Sequence, residues 1–158
     1  MWQLILAAPL IVIVGLALVP VLLLYAVVLW IQGLALRTRA AVTWPRGTIA
    51  LVAYTRSAAW APYIEEQLLP AIGHACIVID RSNAQWKQRY PLERRLIDHF
   101  GGWRENNPIA IVFPPRARTK VFRMYPGFRE AQKGRSKELE TTVSLLRETI
   151  LASRSEGT

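Results

Sequence analysis

The sequence predicts a membrane-spanning helix followed by one mixed α/β domain, its elements in the order β-α-β-α-β-β-α. Two observations carry this. Every charged side chain lies at or beyond Arg37, which leaves an unbroken apolar N-terminal segment. Beyond it, short apolar runs of strand length alternate with stretches whose apolar residues recur at helical spacing. The divisions are 1–36 for the anchor, 37–47 for a basic linker, 48–151 for the α/β domain and 152–158 for a frayed tail.

The anchor comes first. From Leu4 to Leu36 the polar content is Gln32 and the hydroxyl of Tyr25. A span needs about 20 apolar residues, so this stretch is more than long enough. Pro9 and Pro20 are tolerable kinks in a bilayer. Trp2, Tyr25 and Trp30 suit the interfaces. A cleaved signal peptide is the rival reading, but it would have a basic leading region and a shorter apolar core. Arg37, Arg39 and Arg46 follow the span and no basic residue precedes it. Positive flanks stay inside, so the expected place is an inner (plasma) membrane, with the domain cytoplasmic and a short N-terminus outside.

The linker, with Trp44-Pro45 and Gly47, leads to Thr48–Thr55, a continuous apolar run of the kind buried on both faces of a sheet. Ser57 to Ile72 reads as a helix capped by Ser57, with Pro62 in its first turn and Ile64, Leu68, Ala71 and Ile72 on one face. Gly73 ends it. Ala75 to Asp80 is a second buried strand and Arg81-Ser82-Asn83 a loop. A second helix from about Gln85 or Pro91 to Phe100 turns Leu92, Leu96, Ile97 and Phe100 inward, and Gly101-Gly102 stops it. Ile109 to Phe113 is the third strand, Pro114 to Arg118 a turn, and Thr119 to Tyr125 a fourth, edge strand in an antiparallel hairpin. The two βα crossovers are expected to give parallel strands. A last helix from about Ser136 to Leu151 carries the stripe Leu139, Val143, Leu146, Ile150.

Composition narrows the chemistry. The chain has 158 residues and a net charge of +9. With the anchor removed, roughly 110 residues remain, enough for one domain with its own core. A basic domain on a tether has the bilayer, and its anionic lipid headgroups, as the expected partner; a protein partner in a membrane complex is a second. Nucleic acid is not expected, because that reading needs arginines and stacking aromatics clustered on one face. Cys76 is the single cysteine. It excludes an internal disulfide and a cysteine zinc site. His74 and His99 have no metal-ligand spacing. No metal, cofactor or catalytic residue is assigned.

The element order and length of residues 48–151 resemble the thioredoxin fold. Trp60-Ala61-Pro62 opens the first helix near the family's active-site turn, and Asn107-Pro108 stands directly before strand three, where the family carries a cis-proline. The likeness implies a cis Asn107–Pro108 bond, with Asn107 near Ser57 to Trp60. It does not imply the family's chemistry. Dithiol exchange needs C-x-x-C at the start of the first helix, and residues 55–66 contain no cysteine. Cys76, in an apolar strand, reads as an inert thiol. The stretches Trp60 to Pro70 and Asn107 to Phe113 also resemble an uncharacterised family of bacterial membrane-anchored proteins, with a W-x-x-x-I-E-x-x-x-x-P stretch and an N-P-hydrophobic strand. That family brings no activity with it.

Ligands of open α/β sheets bind beyond the carboxyl ends of the strands. Three segments are expected there: Arg56-Ser57, Arg81-Ser82-Asn83, and the loop before Asn107-Pro108. Arg56 and Arg81 near a helix start suit an anion, though the favoured reading is that they are merely surface residues. Trp60, Trp86 and Trp103 are expected along the same edge or packed in the core. Asp80 and His99 are an acid and a base with nothing in the sequence to join them. The candidate ligand site is Arg56, Ser57, Trp60, Arg81, Asn83, Asn107 and Pro108. The expected function is a membrane-anchored, non-redox binding or scaffold module. The alternative is an enzyme acting on an anionic or phosphorylated substrate at the membrane surface.

Overall fold

The computed structural model describes residues 2–102 and 107–155, with side chains from residue 18 onward. The chain divides into two compact units, Met1–Ala35 and Leu36–Thr158. The first is helical and belongs to α1, Trp2–Thr43. Its described part is long and apolar enough to cross a membrane, a property that a signal sequence shares. Helix α1 does not stop at Leu36. It runs on through much of the stretch expected as a linker, because residues 37–43 contain neither glycine nor proline to break it.

In the second unit the sheet has four strands: β1 Ala50–Tyr54, β2 Cys76–Asp80, β3 Ile109–Val112 and β4 Lys120–Arg123. Their order across the sheet is β2-β1-β3-β4. Strand β1 pairs parallel with β2, Val52 opposite Val78. It pairs antiparallel with β3, Leu51 opposite Ile111, and β3 pairs antiparallel with β4. The second crossover thus departs from the parallel arrangement expected.

The connection between β2 and β3 shows why. It is broken at Tyr90 (φ −126°, ψ 64°) into α3, Trp86–Arg89, and α4, residues 91–101. Near the start of α4, Glu93 meets Trp44, just before β1. At its end the Gly101 carbonyl accepts from Arg123, which pairs with Ile109 beside the far end of β1. Helix α4 therefore returns the chain to the sheet end that β2 left, and β3 must run back the other way. Gly102, at φ 68°, makes the stop in a region that glycine alone enters freely. The Asn107–Pro108 bond is cis.

Strand β1 is fully enclosed, and its residues alternate between two cores. Ala50, Val52 and Tyr54 join Ala110 and Val112 under α2 (residues 61–75), α5 (Tyr125–Ala131) and α6 (Lys137–Ser155). Leu51 and Ala53 join Ile109, Ile111, Leu96 and Ile97, together with Ala40 and Trp44 from the chain entering the domain. Burying each large aliphatic side chain contributes roughly 1.5–3 kcal/mol. Glu93 is buried against this second core, and the Trp44 indole N–H donates to it at 2.8 Å. That bond offsets the cost of removing a carboxylate from water. Strand β2 was expected to be buried on both faces, but it is an edge, and only Ile79 is fully enclosed. Helix α5 was not foreseen. Helix α6 carries its expected stripe and extends to Ser155, into the segment expected to fray.

Candidate functional site

The residues beyond the carboxyl ends of β1 and β2 form one polar cluster. Tyr54 closes β1, and its hydroxyl donates to Glu65 Oε1 at 2.8 Å. Glu65 comes from α2, where a π turn, Ile64–Leu68, follows the first helical turn. Arg56 lies beside it, its Nε 3.1 Å from Asp80 Oδ2 and 3.6 Å from Glu65 Oε1. The Arg56 backbone N–H donates to Ser82 Oγ at 2.7 Å, and the Ser82 N–H donates to Asp80 Oδ1 at 2.9 Å. The loops after β1 and β2 are thereby stitched to each other.

The other expected residues hold the loops in shape. Ser57 is not a helix cap. Its Oγ accepts from the Ala59 N–H at 3.3 Å and its carbonyl from Trp60 and Ala61, so it builds a turn before α2. The Trp60 indole N–H donates to the Thr55 carbonyl at 2.8 Å. Asn83 caps the next turn through Oδ1, accepting from Gln85 N–H. Asn107 Nδ2 donates to Thr55 Oγ1 at 2.7 Å, which brings the segment before β3 to the same end of the sheet. Pro108 is buried, and its carbonyl accepts from Met124 N–H.

Trp60 and Trp86 lie on opposite faces of the sheet. Trp60 packs with Tyr125 and Phe128 on one face of the sheet, and Trp86 belongs to the core on the other, with Arg81 stacked 4.7 Å above its ring. Trp103 lies outside the described residues. His99 sits edge-on to Phe100, 4.7 Å between centroids, while Asp80 is engaged by Ser82 and Arg56.

The electrostatics are those of a closed set. Hydrogen bonds from Ser82, and then the charge of Arg56, hold the Asp80 carboxyl below the usual carboxylate range. Burial, reinforced by the adjacent Glu65, pushes the Tyr54 phenol up to about 12. Burial alone pushes the Cys76 thiol up to about 12. A group with such a pKa stays protonated at neutral pH and serves as neither base nor thiolate nucleophile. Among the described residues no three His, Cys, Asp or Glu side chains gather as a metal would require.

Comparison with protein families, with curated proteins and with solved structures gives no match.

Tyr54, Thr55 and Glu65 are members of the cluster that the sequence reading does not name, and Ser82 is placed there only as part of the loop after β2. Glu65 lies eleven residues from its partner Tyr54, and Ser82 lies twenty-six from Arg56. The turn from β1 into α2 brings Glu65 back to Tyr54, and the parallel register of β1 and β2, with Tyr54 opposite Asp80, brings Ser82 to Arg56.

Proposed function

We propose that this chain is a membrane-anchored, thioredoxin-like module that binds or scaffolds a protein partner and carries out no dithiol chemistry. The element order β-α-β-α-β-β-α, with the extra α5 inserted between β4 and the last helix, and the placement of Pro108 directly before β3 support the likeness. The observation that carries the functional reading is the state of the turn after β1. It contains no thiol, and its one guanidinium, Arg56, lies between the carboxylates of Asp80 and Glu65. A catalytic turn needs a group poised to give or take a proton or an electron pair. Here the one cation is engaged by two carboxylates, and the phenol keeps its proton.

The same pairing weighs against an enzyme for anionic substrates, since a phosphate would have to compete with two carboxylates for Arg56. The test uses the full chain in detergent micelles. Insulin reduction and phosphate release from a panel of phosphomonoesters should both match buffer. Reductase turnover that survives Cys76→Ser overturns the non-redox reading. Phosphate release abolished by Arg56→Gln overturns the binding-module reading in favour of the enzyme.

A further inference from the structure

We propose that the end of the domain where the chain enters it is a binding surface for anionic lipid headgroups, formed by Arg39, Arg46, Arg116 and Arg118 around Arg37. The proposal rests on reading α1 as a membrane span, and it adds a partner for the arginines that follow that span in the chain.

The geometry starts at Arg37, the residue after the last apolar position of the anchor. Helix α1 is continuous there. With a rise of about 1.5 Å per residue, Arg39 lies only ~5 Å along the axis from Leu36. The Arg37 guanidinium donates to the Ala117 carbonyl at 2.8 Å and also to the Pro114 carbonyl. The β3–β4 turn is thereby held within one side-chain length of the helix. Carbonyls satisfy the hydrogen-bonding fork of Arg37 without cancelling its charge. Arg116 and Arg118 flank Ala117 and are exposed. Arg46 is exposed two residues after Trp44, whose ring packs 5.6 Å from Phe113 at the entrance to the same turn.

The acid nearest this end is Glu93, and its carboxylate is buried against the Trp44 indole N–H. No acidic residue occurs in 37–64 or in 107–129. Among the described residues none of Arg39, Arg46, Arg116 and Arg118 forms an ion pair. Ion pairs form instead at Arg56, at Arg94 with Asp98, and around Glu130. Cations next to a bilayer are drawn to anionic headgroups within a Debye length, about 10 Å at 0.1 M salt. Nucleic acid suits this surface less well. Single strands are held by exposed aromatics among the cations, and here Trp44 and Phe113 are buried.

The experiment is backbone hydrogen exchange of the full chain in nanodiscs of phosphatidylcholine alone and of phosphatidylcholine with phosphatidylglycerol. Exchange across residues 116–119 should slow severalfold in the anionic discs only, and high salt should abolish the difference. Arg116→Gln/Arg118→Gln should lose it, whereas Arg129→Gln/Lys137→Gln, with equal charge removed from the α5–α6 region, should keep it. Equal exchange in both lipids with the chain embedded overturns the headgroup surface and leaves the span intact. A chain that fails to enter the discs overturns the span and the proposal together. Protection produced by added DNA and not by the anionic lipid overturns it in favour of nucleic acid.

Discussion

Cys76 and Tyr54 set the response of the domain to alkali. Each holds its proton more tightly in the fold than in an open chain: the thiol moves from 9.0 to about 12, and the phenol from 10.0 to about 12, both chiefly through burial. Above pH 9 the unfolded chain therefore binds fewer protons than the native one, and stability falls as pH rises. The contribution of these groups is fully present below about pH 9 and disappears as the pH approaches about 12. Urea unfolding of the full chain in micelles should show a midpoint that declines across this window. Cys76→Ala should remove the earlier part of the decline and Tyr54→Phe the later part. A midpoint that stays level over the window, with the fold intact at its start, contradicts the burial of both groups. The inertness of Cys76 was legible from its apolar neighbours in the sequence. The partner of Tyr54 was not, because Glu65 reaches it only through the turn that joins β1 to α2.

Among the elements, those set by local pattern were legible, and those set by long-range contact were not. The stripe Leu139, Val143, Leu146, Ile150 is buried as its spacing requires. In α2 the spacing misleads at one position: Ile64, Leu68 and Ile72 are buried, yet Ala71 is exposed. Pro70 has no N–H to give the carbonyl four residues back and crowds it. The turn before it widens, so that the Leu69 N–H bonds to the Ile64 carbonyl, five residues away, and the phase of the helix shifts. Helix α5 escaped notice because it is short and opens on Tyr125-Pro126-Gly127, which reads as a turn. Its glycine is there for packing. A Cβ on Gly127 would lie 2.8 Å from the Leu139 Cα and 3.0 Å from its backbone nitrogen, and backbone cannot swing aside. Gly127→Ala should destabilise the domain by about 1–3 kcal/mol through overpacking. Thermal unfolding measures it, with Gly134→Ala as the comparison: that site is open but has φ 80°, so its cost is conformational alone. If Gly127→Ala leaves the midpoint unchanged, the close approach of α5 to α6 is not as described.

At the scale of the whole molecule the sheet has two unlike ends. At the carboxyl end of β1, Arg56 is matched by Asp80 and Glu65. At the other end, where the chain enters, Arg37 bonds to two backbone carbonyls, and among the described residues neither it nor the exposed Arg39, Arg46, Arg116 and Arg118 forms an ion pair. That contrast bears on the direction of insertion. Basic residues just after an apolar span resist translocation and stay on the cytoplasmic side. Here the folded turn adds Arg116 and Arg118 to the three arginines that follow the span in sequence. The expected orientation is therefore a cytoplasmic domain. A cysteine placed near the end of α6, as Ser155→Cys in a Cys76→Ser chain, reports it, since Ser155 is exposed. In intact bacterial spheroplasts an impermeant maleimide should leave the chain unlabelled and should label it fully after lysis. Replacing Arg37, Arg39 and Arg46 with glutamine should raise the labelled fraction before lysis, because it removes the positive flank on which the expected orientation rests. Full labelling of the parent chain without lysis places the domain outside, and the arginines would then need a role other than topology.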